Sequence, residues 1–353
     1  MMTSYERFSR AFQHKEADRV PIVDYPWPAT LERWHKEGLP ENVDYNNYFG
    51  MDRIIEIVVD SSPRFPTKVL EETNEYIIET TAWGATMKNW KHSASTPQFL
   101  DFKIKDRASW AEAKELMIGF PDRLPWDWMH NNYGTWREKG YWIRGDLWFG
   151  FDAAHSWAVG TDRVLMAMVE DPEWCIDMFQ HFFNVSIDLL DIVWDAGYRY
   201  DSAVWCDDMG YKGKQFFSVD MYRELLKPIQ KQAVEWAHEK GIPITLHSCG
   251  DVNPFIPELI EIGVDALNPI EVKAGMDPIG IKKQYGDKLT LHGGINALLY
   301  DDIEALEAEM RRVIPALKQN GGYILSSDHS IPSSISLKDF GRFMELAKEL
   351  GSF

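Results

Sequence analysis

The sequence LHSCGD, residues 246–251, closes the apolar run GIPIT with a histidine and a cysteine two positions apart. If the run is a β-strand, side chains two apart point to the same side, so His247 and Cys249 present an imidazole and a thiol to one point. That pairing suits zinc, which takes nitrogen and sulfur ligands and, at catalytic sites, three protein ligands with one position left open. His329, in SSDHS near the C-terminus, is the natural third ligand, with Asp328 and Glu271 as substitutes. The plainer reading, a hydrogen-bonded histidine beside a reduced buried cysteine, stands at equal weight on the pair alone.

Other polar residues follow apolar runs in the same way: Asp24, Asp60, Asp146, Asp207, Asp208, Glu271, His292 and Asp328. A ring of such residues suggests a site assembled from many strand ends, in which Asp207, Asp208 and Glu271 are the candidates for proton transfer.

The elements that must position these residues alternate regularly in the second half. Helical stretches close on Gly241 and Gly263, and each is followed by a short apolar run, IPITLHS and VDALNPI. KLTLHGGI and YILSSDHS continue the series, and RVPIVDY, RIIEIVVD, YWIRGDLWFG and YDSAVWCDD precede it. Eight strand-length runs with interleaved helices predict an α/β fold, a (β/α)8 TIM barrel, as one domain over residues 1–353. TKVLEETNEYIIETTAWGATMKNW breaks the pattern and predicts an inserted antiparallel β-hairpin near residues 65–95. No GxGxxG loop follows an early strand, which disfavours an open dinucleotide-binding sheet.

Composition excludes several partners. With 55 acidic against 37 basic side chains, the surface repels nucleic acid and anionic membranes. The absence of an eighteen-residue apolar run and of a basic-then-apolar start gives the expectation of a soluble, cytoplasmic protein; a homo-oligomer remains open. The three cysteines, Cys175, Cys206 and Cys249, make no disulfide framework, which leaves thiol or metal chemistry. The 15 tryptophans either fill the core or wall a pocket; on the pocket reading Trp27, Trp126 and Trp148, with Asp146, hold the substrate.

SYERFSRAFQHKEADRVP, CDDMGYKGKQFFSVDMYRELLKP, LHSCGDV, DALNPIEVKAGMD, YGDKLTLHGGIN and GGYILSSDHSI, in this order, resemble the uroporphyrinogen decarboxylase superfamily of (β/α)8 barrels. Its two main branches are cofactor-free decarboxylases and zinc-dependent methyltransferases that exchange methyl groups with a corrinoid protein. Decarboxylases carry an arginine-rich segment after the first strand, where this chain reads DYPWPATLERW. The methyltransferase branch is the better likeness, through the HxC pair, although His329 stands where a cysteine is usual.

A second resemblance is to O-demethylase methyltransferases, whose zinc pattern of Glu, fourteen residues, Glu, twenty residues, His is met by Glu56, Glu71 and His92. The resemblance thus implies two alternative zinc sets. It also implies a corrinoid protein as partner and methyl transfer from a small methoxylated, aromatic donor to cob(I)alamin. Methyl-corrinoid:thiol methyl transfer and decarboxylation are the alternatives.

Overall fold

The computed structural model describes residues 2–92, 96–118 and 121–353. Seven parallel strands form a curled sheet in the order Ile54–Val58, Trp142–Leu147, Ser202–Cys206, Ile244–His247, Ala266–Asn268, Thr290–His292 and Tyr323–Ile324. This is an α/β, TIM-barrel-like fold.

The sequence predicts eight barrel strands; among the described residues the curled sheet has seven and a partial eighth. RVPIVDY runs beside the last strand, where Leu325 N–H donates to Pro21 O and Val23 N–H to Leu325 O, but its pairing is reduced to single bridges, Ile22 with Leu325 and Pro26 with Ile331. The reason is chemical: Pro21 and Pro26 have no N–H to give to a ladder. On its other side Asp52 N–H donates to Ile22 O, so this segment occupies the gap between the last strand and the first.

Between the first two sheet strands stands a four-stranded antiparallel sheet, Val69–Glu72, Tyr76–Thr80, Ala85–Trp90 and Gln98–Phe102, larger than the hairpin expected. Its third and fourth strands pair across a bulge near Thr86, and residues 93–95, at the end of the expected hairpin, lie outside the described residues. Its first strand is exposed at all four positions.

The N-terminal helix Ser4–Phe12 closes the bottom of the curled sheet. Thr3 caps it by accepting from Glu6 N–H while the Glu6 carboxylate accepts from Thr3 N–H. Phe8 and Phe12 stack on Trp142, whose indole N–H donates to Ser202 Oγ at 2.8 Å inside the sheet. Most tryptophans, Trp34, Trp110 and Trp205 among them, are core residues packed between sheet and helices, and of the fifteen only Trp27 lines the cavity described below. No helix among the described residues is long and apolar enough to cross a membrane.

Candidate metal and substrate site

Strand register brings the site together. Cys206 lies directly beside His247, and His247 beside Asn268, on three neighbouring strands. Cys206 and Asp208, two apart like His247 and Cys249, project the same way. Among the described residues, one group of possible metal-ligating side chains has its ligand atoms within 4.8 Å of one another: Cys206, Asp208 and His247. Cys249 Sγ stands outside that group but lies 3.4 Å from His247 Nε2, a second sulfur on the same imidazole nitrogen.

The imidazole is oriented from behind. Its Nδ1–H donates to Asn268 Oδ1 at 2.6 Å, and Asn268 Nδ2 in turn donates to His292 O at 3.2 Å, which fixes the amide. Nε2 therefore carries the lone pair that faces the sulfurs and Asp208 Oδ1, 3.9 Å away. A partner on the far ring nitrogen is the usual arrangement for a metal-ligating histidine.

The loop after His247 is held as firmly. Cys249 N–H donates to Asp208 Oδ1 at 2.7 Å, and Gly250 N–H to Glu271 Oε2 at 2.5 Å. Gly250 sits at φ +86°, and a Cβ there would come within 2.1 Å of the Gly210 backbone, so only glycine permits this approach.

Burial, followed by nearby carboxylates, pushes both the Cys206 and Cys249 thiols well above their ordinary range. Asp152, buried on the helical turn after the second strand, contributes to both shifts and accepts from Ser156 Oγ at 2.8 Å. Two thiols, an imidazole with its lone pair directed inward and a carboxyl fit zinc, whose charge would lower the thiol pKa values and stabilise thiolates.

A cavity of 300 Å³ opens beside this cluster. Tyr25, Trp27, Pro269, His292 and His329 line it, together with His247, Cys249 and Arg144. Burial and the positive charge of Arg144 hold His292 down at about 3, so its ring is neutral. Arg144 pairs with Glu56 through Nη2, while its Nε is buried without a partner among the described residues. Asp146, two residues on, is pushed up to about 7 by burial and Glu56, against the pull of Arg144.

The residues singled out in the sequence are distributed unevenly. His329 lines the cavity, with its ring 5.9 Å from that of Trp27, but stands outside the 4.8 Å group. Asp207 is fully buried and accepts from Asp152 N–H at 2.9 Å and Gln230 Nε2 at 2.8 Å, outside the cavity lining. Glu271 is spent on Gly250 and on Lys273, 3.4 Å away. Asp328 accepts from Val272 and Ala297 N–H.

Trp126 gives its indole N–H to Pro121 O and packs on Tyr198, and Trp148 packs between Trp83 and Trp157; neither lines the cavity. The set Glu56, Glu71 and His92 is not brought together as a ligand group. Glu56 pairs with Arg144, whereas Glu71 accepts from the Tyr76 hydroxyl and His92 bonds Asn74 O on the antiparallel sheet. Cys206, Asn268 and Arg144 are the additions from the structure. The same two-apart pattern at a strand end that marked HSC was present in CDD.

Comparison with known proteins agrees with this architecture. A family model described as Uroporphyrinogen decarboxylase (URO-D) matches residues 154–350, more than half of the chain, and the protein belongs to that family. Among solved structures the chain is similar to a methyltransferase from Methanosarcina mazei, at 16% identity and a TM-score of 0.67, covering 99% of both chains. A β-glucosidase from Pyrococcus furiosus aligns over 86% of this chain and 82% of its own at 11% identity, but its TM-score of 0.28 carries no weight. No curated protein sequence matches the chain.

Proposed function

We propose that the protein is a corrinoid-dependent methyltransferase that takes the methyl group of an aryl methyl ether. The methyl–oxygen bond breaks with its electron pair left on oxygen, and the cob(I)alamin of a partner protein supplies the pair for the new carbon–cobalt bond. The observation that carries this reading is the convergence of Cys206, Asp208 and His247, with Cys249 Sγ on the same His247 nitrogen, beside a cavity that His247 and Cys249 line. The likeness of the fold to a methyltransferase supports it.

His247 Nε2 and the thiols of Cys206 and Cys249 are the ligands in this reading, replacing the His247, Cys249 and His329 set. Zinc, when bound, supplies a Lewis acid to an ether oxygen, an otherwise poor leaving group. Asn268 keeps the His247 lone pair directed at that position. Asp208, which accepts from Cys249 N–H and whose carboxyl burial pushes above its ordinary range, is the acid assigned to protonate the departing phenolate oxygen. Trp27, Pro269, His292 and His329 form the walls against which a ring packs and from which water is excluded.

Metal content and turnover together test the assignment. Cys206→Ala, His247→Ala and Cys249→Ala are each expected to lose zinc, while Asp208→Asn keeps zinc and loses rate. Zinc loss in Asp208→Asn with retention in Cys249→Ala would replace Cys249 by Asp208 as ligand. Family membership favours decarboxylation as the second reading. Carbon dioxide release from an aromatic acid by metal-free protein, without methyl transfer, would establish it instead.

A further inference from the structure

The cavity is lined both by His247 and Cys249 of the metal cluster and by Arg144. In the strand register the Arg144 Cα is level with Ser202, while Cys206 is level with His247. Four residues of strand, about 13 Å, separate those two levels. His292 lines the same cavity as Arg144, His247 and Cys249.

We propose that Arg144 binds a carboxylate on the substrate, so that the methyl donor is a methoxylated aromatic acid oriented with its ether oxygen toward Cys206, His247 and Cys249. This deepens the methyltransferase reading and rests on it for the identity of the donor; the binding of the carboxylate is independent of turnover.

Three observations carry the proposal. Arg144 lines the cavity that holds His247 and Cys249, and its Nε–H is buried with no acceptor, a state that costs free energy until a ligand supplies one. Its Nη2 is already committed to Glu56, which holds the planar guanidinium in place. A guanidinium in this protein readily serves two carboxylates: Arg7 donates through Nε and Nη2 to Asp18, at 2.7 and 2.8 Å, and through Nη1 to Asp52 at 2.9 Å. Arg144 uses only Nη2, on Glu56, and leaves free the Nε that in Arg7 is bonded, an opening that a ligand carboxylate fills. A cavity of 300 Å³ is at the small end of ligand sites, the size suited to a single substituted ring.

Calorimetric titration of the whole protein with 3-methoxybenzoate and with 3-methoxybenzyl alcohol, in the absence of corrinoid protein, separates charge from shape. The acid is expected to bind roughly 10- to 100-fold more tightly than the alcohol. Arg144→Gln should abolish that preference while the affinity for the alcohol stays within about threefold. Should Arg144→Gln fail to fold because Glu56 is left unpaired, the double variant Arg144→Gln/Glu56→Gln removes both charges and carries the same expectation. Equal affinities in the wild type, no binding of the acid, or a preference that survives loss of Arg144 would each overturn the proposal. Intact acid preference with no methyl transfer to cobalt from any donor would instead refute the methyltransferase reading.

Discussion

Asn268 makes no bond to the proposed metal, yet its removal should weaken zinc binding more than any other change outside the ligands. Its Oδ1 accepts the His247 Nδ1 proton at 2.6 Å, and that bond alone keeps the lone pair on Nε2. In Asn268→Ala the imidazole regains both its tautomers and its ring rotation. Loss of such a supporting bond lowers metal affinity by about 10- to 100-fold, equivalent to about 1.4–2.7 kcal/mol. The amide's second bond, to His292 O, is lost as well, leaving a buried carbonyl short of a donor at a further cost to folding of about 1–3 kcal/mol. Titration of metal-free protein against a fluorescent zinc chelator measures the first effect and urea unfolding the second. Asn268→Asp, which still accepts from Nδ1, should recover most of the affinity. Zinc affinity within twofold of wild type in Asn268→Ala, when His247→Ala has lost it, would show that the imidazole is not oriented as described.

Two further outcomes concern buried carboxyls, and a third concerns exposed side chains of the antiparallel sheet. Asp146 has a raised pKa, so the folded state holds its proton more tightly than the unfolded state, and stability falls as pH rises from about 4 toward 7. Asp146→Asn should raise the melting temperature at pH 8 and change it little at pH 4; equal effects at both would remove the pH link. Asp207→Ala leaves the Asp152 N–H and Gln230 Nε2 without their acceptor and should lower stability by about 2–4 kcal/mol in urea. Unchanged stability with lost turnover would return Asp207 to a direct chemical role. Glu71→Ala and His92→Ala should leave zinc content unaltered, because both side chains are engaged on the antiparallel sheet.

The barrel-like fold was legible because its strands are short, apolar and separated by glycine-closed helices. The insertion was only partly legible: the run read as a hairpin covers Val69–Glu72, Tyr76–Thr80 and Ala85–Trp90, but Gln98–Phe102, a largely exposed strand, lies beyond it and its pairing is visible only once folded. The eighth strand read as strongly as the rest, because an apolar run reports burial; it does not report that Pro21 and Pro26 cannot donate hydrogen bonds.

Within the site, His247 and Cys249 were legible from their own spacing. Cys206 was not, since its approach to His247 depends on parallel register across 40 intervening positions. Alternation places a residue at a strand end but does not say whether it faces a cavity or a loop. Asp208 faces the cluster, whereas its neighbour Asp207 is turned toward Gln230. Asn268 and Arg144 were passed over because neither is a metal ligand nor an acid or base; their roles come from what they hold.

The central claim is methyl transfer at a thiol-ligated metal. It is tested most directly by mixing zinc-loaded protein, a reduced corrinoid protein and a methoxylated benzoate, and following the corrin absorption spectrum together with release of the phenol. Conversion of cob(I)alamin to methylcobalamin with one phenol formed per methyl, abolished in Cys206→Ala, is the expected result. Carbon dioxide release with the cobalt unchanged, or full methyl transfer by Cys206→Ala, would contradict it.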